Sequence, residues 1–127
     1  MGAHEGHAAL SVSDAVIHEH LSALSALSQN VSDSMSDEIQ ALADRVLETI
    51  LAGGKVMFCG NGGSAADAQH LAAEYVVRFS RERRALAVLA LTTDTSVLTA
   101  GGNDYGYDTI FSRQVEALGR AGDLLIL

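Results

Sequence analysis

The chain has 127 residues, 48% of them hydrophobic, and a net charge of −8, which together predict a globular protein with at most one domain. The acidic balance argues against the basic face that nucleic-acid binding requires, and no apolar run is long enough to cross a membrane, so we expect neither kind of partner. The single cysteine, Cys59, rules out an internal disulfide and is typical of the reducing cytoplasm, where we expect the protein to be located.

The first part of the chain predicts a flexible end followed by two amphipathic helices. Residues 1–10 show no periodicity and are expected to be flexible. Residues 11–53 carry two apolar stripes at helical spacing, each preceded by a capping-box pattern, at Ser11–Asp14 and at Ser34–Asp37. The stripes consist of Ile17, Leu21, Leu24, Leu27, Ile39, Leu42, Val46, Leu47 and Ile50. Two glycines, Gly53 and Gly54, are expected to end the second helix.

From Lys55 onward, short apolar runs alternate with helical segments. The runs KVMFCG, ALAVLAL and DLLIL predict three buried strands. Between them lie a helix over residues 64–79, a short helix capped at Asp94 or Thr95, and a further helix closed by Gly119 or Gly122. Strands that are apolar throughout are typical of a parallel sheet covered on both faces, so residues 54–127 predict a doubly wound α/β unit.

The last predicted strand has no predicted element after it. An apolar strand in that position would normally lie inside a parallel sheet, and by itself it would be an unprotected edge. We therefore expect these 127 residues to be part of a longer protein that continues after the third strand.

A glycine-rich turn, GNGGS, joins the first predicted strand to its helix, the position that a phosphate-binding turn requires. A Walker loop is excluded, because no Gly-Lys-Ser/Thr follows. Gly60, Gly62 and Ala65 fit the dinucleotide pattern G-x-G-x-x-A, which is weak evidence when it stands alone. A sugar-phosphate site, with Asn61 and Ser64 as polar groups beside the backbone, is a second interpretation. A tight turn without a ligand is the third.

His70 and Glu74 follow on the helix that this turn begins. Their spacing of four residues places both side chains on one helical face. A metal site or an acid–base pair would use this arrangement, whereas a solvated pair is the structural alternative. The position on a helix that starts at a ligand-type turn favours the functional interpretation. A basic cluster follows, which could meet a phosphate, another subunit or solvent, and consists of Arg78, Arg81, Arg83 and Arg84.

Several segments in order resemble the bacterial phosphoheptose isomerases, a branch of the sugar isomerase (SIS) family. These segments are CGNGGSAADAQHLAAEYVVRF, ALTTDTSVLTA and GNDYGYDTIFSRQVEALGRAGDLL, and the resemblance covers residues from about Gly54 to Leu127. It implies an SIS-type doubly wound α/β fold, and it implies conversion of sedoheptulose 7-phosphate to D-glycero-D-manno-heptose 7-phosphate, a lipopolysaccharide precursor. The enzyme class implied is an aldose–ketose isomerase.

The same resemblance implies roles for individual residues. Glu74 is similar to the catalytic base of the family, and His70 with Glu74 resembles half of its zinc site. The implied substrate-binding residues are Asn61, Gly62, Gly63, Ser64, Glu74, Asn103 and Asp104. The helical pair over residues 11–53 is expected to mediate assembly of a homotetramer.

Other features of the family have no counterpart in the sequence. Its serine/threonine phosphate loop and its late glutamine and histidine would follow Leu127, so we expect the 127-residue chain alone to be inactive. The family also usually has two prolines after the arginine that corresponds to Arg83, whereas Arg84 and Ala87 stand there in this chain, which has no proline. A non-catalytic SIS module, binding a sugar phosphate or a replication-initiator protein, is the alternative. Gly63 and Glu74, which that group tends to replace, favour the isomerase.

Overall fold

The computed structural model describes residues 13–127, so the predicted flexible end and Ser11 of the first capping box lie outside the described residues. The elements are α1 (Asp14–Ser34), α2 (Ser36–Leu51), β1 (Val56–Phe58), α3 (Gly63–Val76), β2 (Val88–Ala90), α4 (Thr95–Asp104), a 3-10 helix (Tyr107–Thr109), α5 (Ser112–Leu118) and β3 (Leu124–Ile126). None of the helices in this range is both long enough and apolar enough to cross a membrane.

The break between α1 and α2 differs from the predicted capping box. Ser34 is the last residue of α1, and its hydroxyl donates to the carbonyl of Asn30 at 2.7 Å instead of capping a new helix. Only Met35 separates the two helices, and the Ser36 hydroxyl likewise donates back to the carbonyl of Ser32 at 2.6 Å. With a one-residue gap, each hydroxyl lies within reach of the preceding helical turn, and this local bond replaces the cap.

The end of α2 follows the prediction made from its two glycines. The amide of Gly53 donates to the carbonyl of Ile50 at 3.1 Å, and the amide of Gly54 donates to that of Thr49 at 2.9 Å. This pair of bonds is the Schellman arrangement, which satisfies carbonyls that the helix itself leaves free.

The chain divides into two compact units, one ending at Ala41 and the other comprising Leu42–Leu127, so the division falls within α2.

The three strands that the apolar runs predicted form a parallel sheet, and their order in it is β2-β1-β3. Val56 of β1 is aligned with Val88 on one side and with Leu124 on the other. Among the described residues, β3 pairs with β1 alone. Because β1 is central, the turn that follows it leaves the sheet between the carboxyl ends of its two neighbours.

Helices cover both faces of the sheet, as expected for a doubly wound unit. Side chains of a strand point to alternate faces, and β1 uses both of them. One face carries a buried cluster that α2 and α3 complete: Val46, Ile50, Val56, Phe58, Ala68, Ala72 and Val88. The other face carries Met57, Cys59 and Leu91, against which Phe111 and Val115 of the α5 region pack.

A partly buried ion pair joins the starts of β1 and β3. The Asp123 carboxylate accepts from the Lys55 amide at 2.9 Å and from the Arg120 amide at 2.7 Å, and it forms a salt bridge with the Lys55 ammonium group. The Asp123 side chain is only 6% exposed. The hydrogen bond from the Lys55 side chain, followed by that from the Lys55 amide, lowers the pKa of Asp123 to about 2.

Candidate functional site at the glycine turn and helix α3

The glycine turn lies at the carboxyl end of β1, the edge of a parallel sheet where ligands bind in open α/β folds. Beside it is a cavity of about 100 Å³. The polar groups on its wall come from Asn61 in the turn, Thr92 after β2 and Tyr107 in the 3-10 helix. The remaining lining residues are Gly60, Gly62, Ala65, Leu98, Ile110 and Phe111. The turn therefore faces a small cleft lined by three polar residues.

Two glycines of the turn are required by its geometry. A Cβ atom on Gly60 would lie 2.7 Å from Cβ of Ser64, so any other residue would collide with the first turn of α3. Gly62 has φ 57° and immediately precedes the helix, in a conformation that L-residues rarely adopt. The space beside Gly62 and Gly63 is open, because a Cβ atom at either residue would have nothing within 4 Å. The backbone of these two residues is thus open on the side where a Cβ atom would lie.

Some of the backbone amides expected to bind a phosphate at the start of α3 already donate to carbonyls of the turn. The Ser64 amide donates to the carbonyl of Asn61 at 3.1 Å, and the Ala65 amide donates to that of Gly62 at 3.2 Å. A ligand at this helix N-terminus would therefore be bound through the amides of Gly62 and Gly63 together with side chains, and the first helical turn would contribute less than the sequence pattern predicts.

His70 and Glu74 form the pair that the sequence predicted. Nε2 of His70 lies 3.6 Å from Oε1 of Glu74, an ion pair when the histidine is protonated. The two environments differ, because the His70 side chain is 74% exposed and that of Glu74 only 29%. The carboxylate therefore lies in a partly desolvated position while the imidazole remains accessible, which suits a general base and an accessible ligand, respectively.

The pair and the turn share a helix but not a cavity. Glu74 lies ten residues after Ser64, which places their Cα atoms about 15 Å apart along the axis of α3. Neither His70 nor Glu74 lines the cavity beside the turn. A ligand that reaches both would have to be extended along the helix.

The donor pair fits zinc as two of its ligands. Two ligand atoms at the usual zinc distances in a tetrahedral arrangement lie roughly 3.4 Å apart, close to the 3.6 Å between Nε2 and Oε1. Imidazole nitrogen and carboxylate oxygen are both common zinc ligands. Within residues 13–127, however, no group of three or more potential metal ligands occurs. The remaining ligands of such a site would have to come from elsewhere.

Asn103 and Asp104 lie in the last turn of α4, where the Asn103 amide donates to the Asp104 carboxylate at 2.7 Å. Asp104 lines a separate cavity of about 210 Å³ together with Tyr105 and Arg113. Neither residue lines the cavity beside the turn. Their predicted contact with substrate stays a prediction.

Two residues near the site were not predicted to contribute to it. The Tyr107 hydroxyl donates to Oδ1 of Asn61 at 2.8 Å, linking the 3-10 helix to the turn. The guanidinium of Arg83 donates to the carbonyls of Glu74 and Tyr75, at 2.7 Å each, and so stabilises the end of α3. Arg83 thus has partners within the chain, and whether the basic cluster also meets a phosphate or another subunit stays a prediction. The only local signal for Tyr107 was the Gly-Tyr dipeptide at which the 3-10 helix begins.

A parallel α/β sheet with a glycine turn after its central strand defines a broad class of ligand-binding folds. A match to a protein-family model identifies one family within this class. The model described as SIS domain matches residues 19–127, and the chain belongs to this family.

Comparison with individual proteins shows which branch of the family this chain is similar to. The chain is 63% identical over 94 residues to the phosphoheptose isomerase of Roseiflexus sp., covering 74% of this chain and 48% of that relative. The structure of phosphoheptose isomerase from Neisseria gonorrhoeae aligns with a TM-score of 0.80 and 47% identity, over 86% of this chain and 56% of the other. The phosphoheptose isomerase structure from Francisella tularensis aligns with a TM-score of 0.85 and 34% identity, over 91% and 60% of the two chains. The chain spans about half the length of the curated relatives it matches.

Proposed function

We propose that this chain is part of a cytoplasmic ketose–aldose isomerase that converts sedoheptulose 7-phosphate to D-glycero-D-manno-heptose 7-phosphate. The high identity to proteins named phosphoheptose isomerase is the observation that carries the proposal. The glycine turn and a half-buried Glu74 on the helix that follows it support the assignment from the side of the chemistry.

The proposed reaction moves a carbonyl between adjacent carbons. A base removes a proton from the hydroxyl-bearing carbon next to the carbonyl, and an enediolate forms. The hydroxyl proton passes to the former carbonyl oxygen, and the base delivers its proton to the former carbonyl carbon. Glu74 is the proposed base, because a carboxylate can carry this proton in both directions. The turn residues Asn61, Gly62, Gly63 and Ser64 are proposed to bind one end of the sugar phosphate.

Zinc is the proposed cofactor, with His70 and Glu74 as two of its ligands. A bound zinc ion would polarise the carbonyl and favour the enediolate. Direct ligation would lower the basicity of Glu74, so the two proposed roles of this residue partly compete. The roles are compatible if Glu74 removes the proton while it is not ligated, or if it ligates weakly.

Homotetramer formation through the N-terminal helices is also proposed. The apolar stripe of α1 is exposed, with Ile17, Leu21, Leu24 and Leu27 between 47% and 60% accessible. A contiguous stripe of this kind usually contacts another helix.

An isomerase assay separates this proposal from the alternative of a non-catalytic SIS module. The protein expressed from its complete reading frame is incubated with sedoheptulose 7-phosphate, and the aldose product is followed by chromatography. We expect turnover that depends on enzyme concentration. Saturable binding of the sugar phosphate without any product would contradict the isomerase and support the binding module.

A further inference from the structure

We propose that Tyr107 is a positioning residue, whose phenol hydroxyl fixes the Asn61 amide so that its N–H groups donate to an acceptor oxygen of the ligand in the cavity beside the turn. The proposal rests on the proposed function for the identity of that ligand, a sugar phosphate. It concerns a side chain to which neither the family likeness nor the resemblance of the motifs gave a role.

Tyr107 is held at both ends. Its hydroxyl lies 2.8 Å from Oδ1 of Asn61, forty-six residues away in the sequence. Its ring lies over Gly102 of α4, where a Cβ atom would be 3.9 Å from Cδ2 of the ring. The backbone is fixed as well, because Thr109 bonds to the Gly106 carbonyl through its amide at 3.2 Å and its hydroxyl at 2.9 Å. The ring is nevertheless exposed, so burial of the ring does not explain its position.

The chemistry of an amide makes this contact directional. An asparagine side chain has one accepting oxygen and one nitrogen with two N–H donors. When the phenol donates to the oxygen, the nitrogen is left to donate elsewhere, and the cavity is the space that both residues line. A sugar phosphate offers hydroxyl and phosphate oxygens as acceptors. Without the phenol, the amide could rotate and present its oxygen instead, which such a ligand would match less well.

The contact also links two parts of the site. Asn61 belongs to the turn between β1 and α3, whereas Tyr107 belongs to the segment between α4 and α5. Buried Ile110, three residues after Tyr107, anchors that segment and lines the same cavity. Asn61 is therefore oriented from a segment that its own turn does not include.

A double-mutant cycle tests the proposal in the protein expressed from its complete reading frame. The variants are Tyr107→Phe, Asn61→Ala and the double variant, with Tyr105→Phe as the matched control, since Tyr105 is another exposed tyrosine, whose ring contacts Arg113. Each is measured for turnover of sedoheptulose 7-phosphate and for its binding by calorimetry. We expect Tyr107→Phe to raise KM and Kd about fivefold, the usual effect of one neutral hydrogen bond. The kcat should change less than twofold, because the contact favours substrate and transition state alike.

The cycle distinguishes positioning from a purely structural role. If Tyr107 acts through Asn61, Tyr107→Phe has no further effect on Kd in the Asn61→Ala background. Fully additive effects, or an equal loss in Tyr105→Phe, would overturn the proposal. Binding with this non-additive pattern but without turnover by the wild-type protein would contradict the proposed isomerase and leave the positioning role supported. Turnover by the wild-type protein with an additive cycle would support the isomerase and overturn the positioning role of Tyr107. No binding of the sugar phosphate at all would overturn both proposals.

Discussion

Glu74 and His70 show how one helical spacing produces two different chemical environments. Both lie on the same face of α3, yet the carboxylate is half-buried and the imidazole extends into solvent. The end of this helix is stabilised by Arg83, which bonds to the carbonyls of Glu74 and Tyr75. The backbone that carries the proposed base is therefore held from outside the helix, by a residue whose role the charge pattern alone left open.

Zinc binding is predicted to depend on His70. The protein expressed from its complete reading frame should retain about one zinc ion per chain on purification, and His70→Ala should lose it, because one ligand of the set is removed. Metal content is measured by mass spectrometry of the purified proteins. His18→Ala, which removes another exposed histidine from a helix, should keep the wild-type content. Equal zinc in His70→Ala and wild type would contradict the assignment.

Acid sensitivity is predicted to depend on Asp123. The pKa of this carboxyl in the folded protein is lowered to about 2 from an ordinary value of 3.8, so its charged form stabilises the fold above pH 3.8. That stabilisation decreases as the pH falls from 3.8 towards 2. Asp123→Asn should therefore have a lower thermal midpoint than wild type at pH 6, and the difference should shrink as the pH approaches 2.

Thermal unfolding followed by circular dichroism at several pH values measures this effect. Glu116→Gln is the matched control, because it removes a carboxylate from an exposed position on α5. If the difference in thermal midpoint between Asp123→Asn and wild type stayed constant from pH 6 to pH 2, the Lys55 contact would not lower the pKa of this carboxyl.

At the scale of elements, the N-terminal cap of helix α4 gives a prediction about stability that can be tested without any ligand. Its cap was expected at Asp94 or Thr95, and Oδ1 of Asp94 accepts the Val97 amide at 3.0 Å. Asp94→Ala should destabilise the protein by about 1 kcal/mol, because the amide loses its partner. Asp94→Asn, which keeps an accepting oxygen, should cost much less. Urea unfolding measures both, and equal losses in the two variants would contradict the capping role.

Local patterns predicted most of the elements. Apolar runs predicted the three strands, two glycines predicted the end of α2, and the strand-turn-helix order predicted the glycine turn, since each depends on neighbouring residues. The contact of Tyr107 with Asn61 could not be predicted in this way, because it depends on packing between segments forty-six residues apart. The capping box at Ser34 was wrong because a one-residue break allows the hydroxyl to bond backwards.

The candidate site was predicted in parts rather than as a whole. Spacing predicted that His70 and Glu74 would be paired, which the structure confirms. The distance between this pair and the turn could be given only once the length of α3 was known. The helical rise per residue places Glu74 about 15 Å from Ser64. The turn and the pair are therefore two contact regions along one helix, and the sequence pattern alone made them look like one compact site.

At the scale of the whole molecule, the exposed stripe of α1 predicts association between chains. Leu24→Asp should reduce the mass measured by light scattering during size-exclusion chromatography from that of a tetramer to that of a smaller species, because a charge would be placed in an apolar contact. Ser22→Asp, on the opposite side of the helix, is the matched control and should leave the mass unchanged. A monomeric wild-type protein, or a tetrameric Leu24→Asp variant, would contradict the prediction.

The parallel sheet places the turn of the proposed site at the carboxyl edge of its central strand. The turn follows β1, Thr92 follows β2, and α3 carries the His70–Glu74 pair away from that edge. Under the proposed function, a sugar phosphate would have one contact at the turn and another at the base. The central claim is that Glu74 is that base, and it applies to the protein expressed from its complete reading frame.

The rate of isomerisation of sedoheptulose 7-phosphate by Glu74→Gln, compared with wild type, tests this claim most directly. Glutamine keeps the size of the side chain but cannot accept the proton, so we expect kcat to fall by about 100-fold or more. Glu82→Gln, at a carboxylate that is 88% exposed, should retain the wild-type rate. Isomerisation by Glu74→Gln as fast as by wild type would contradict the account.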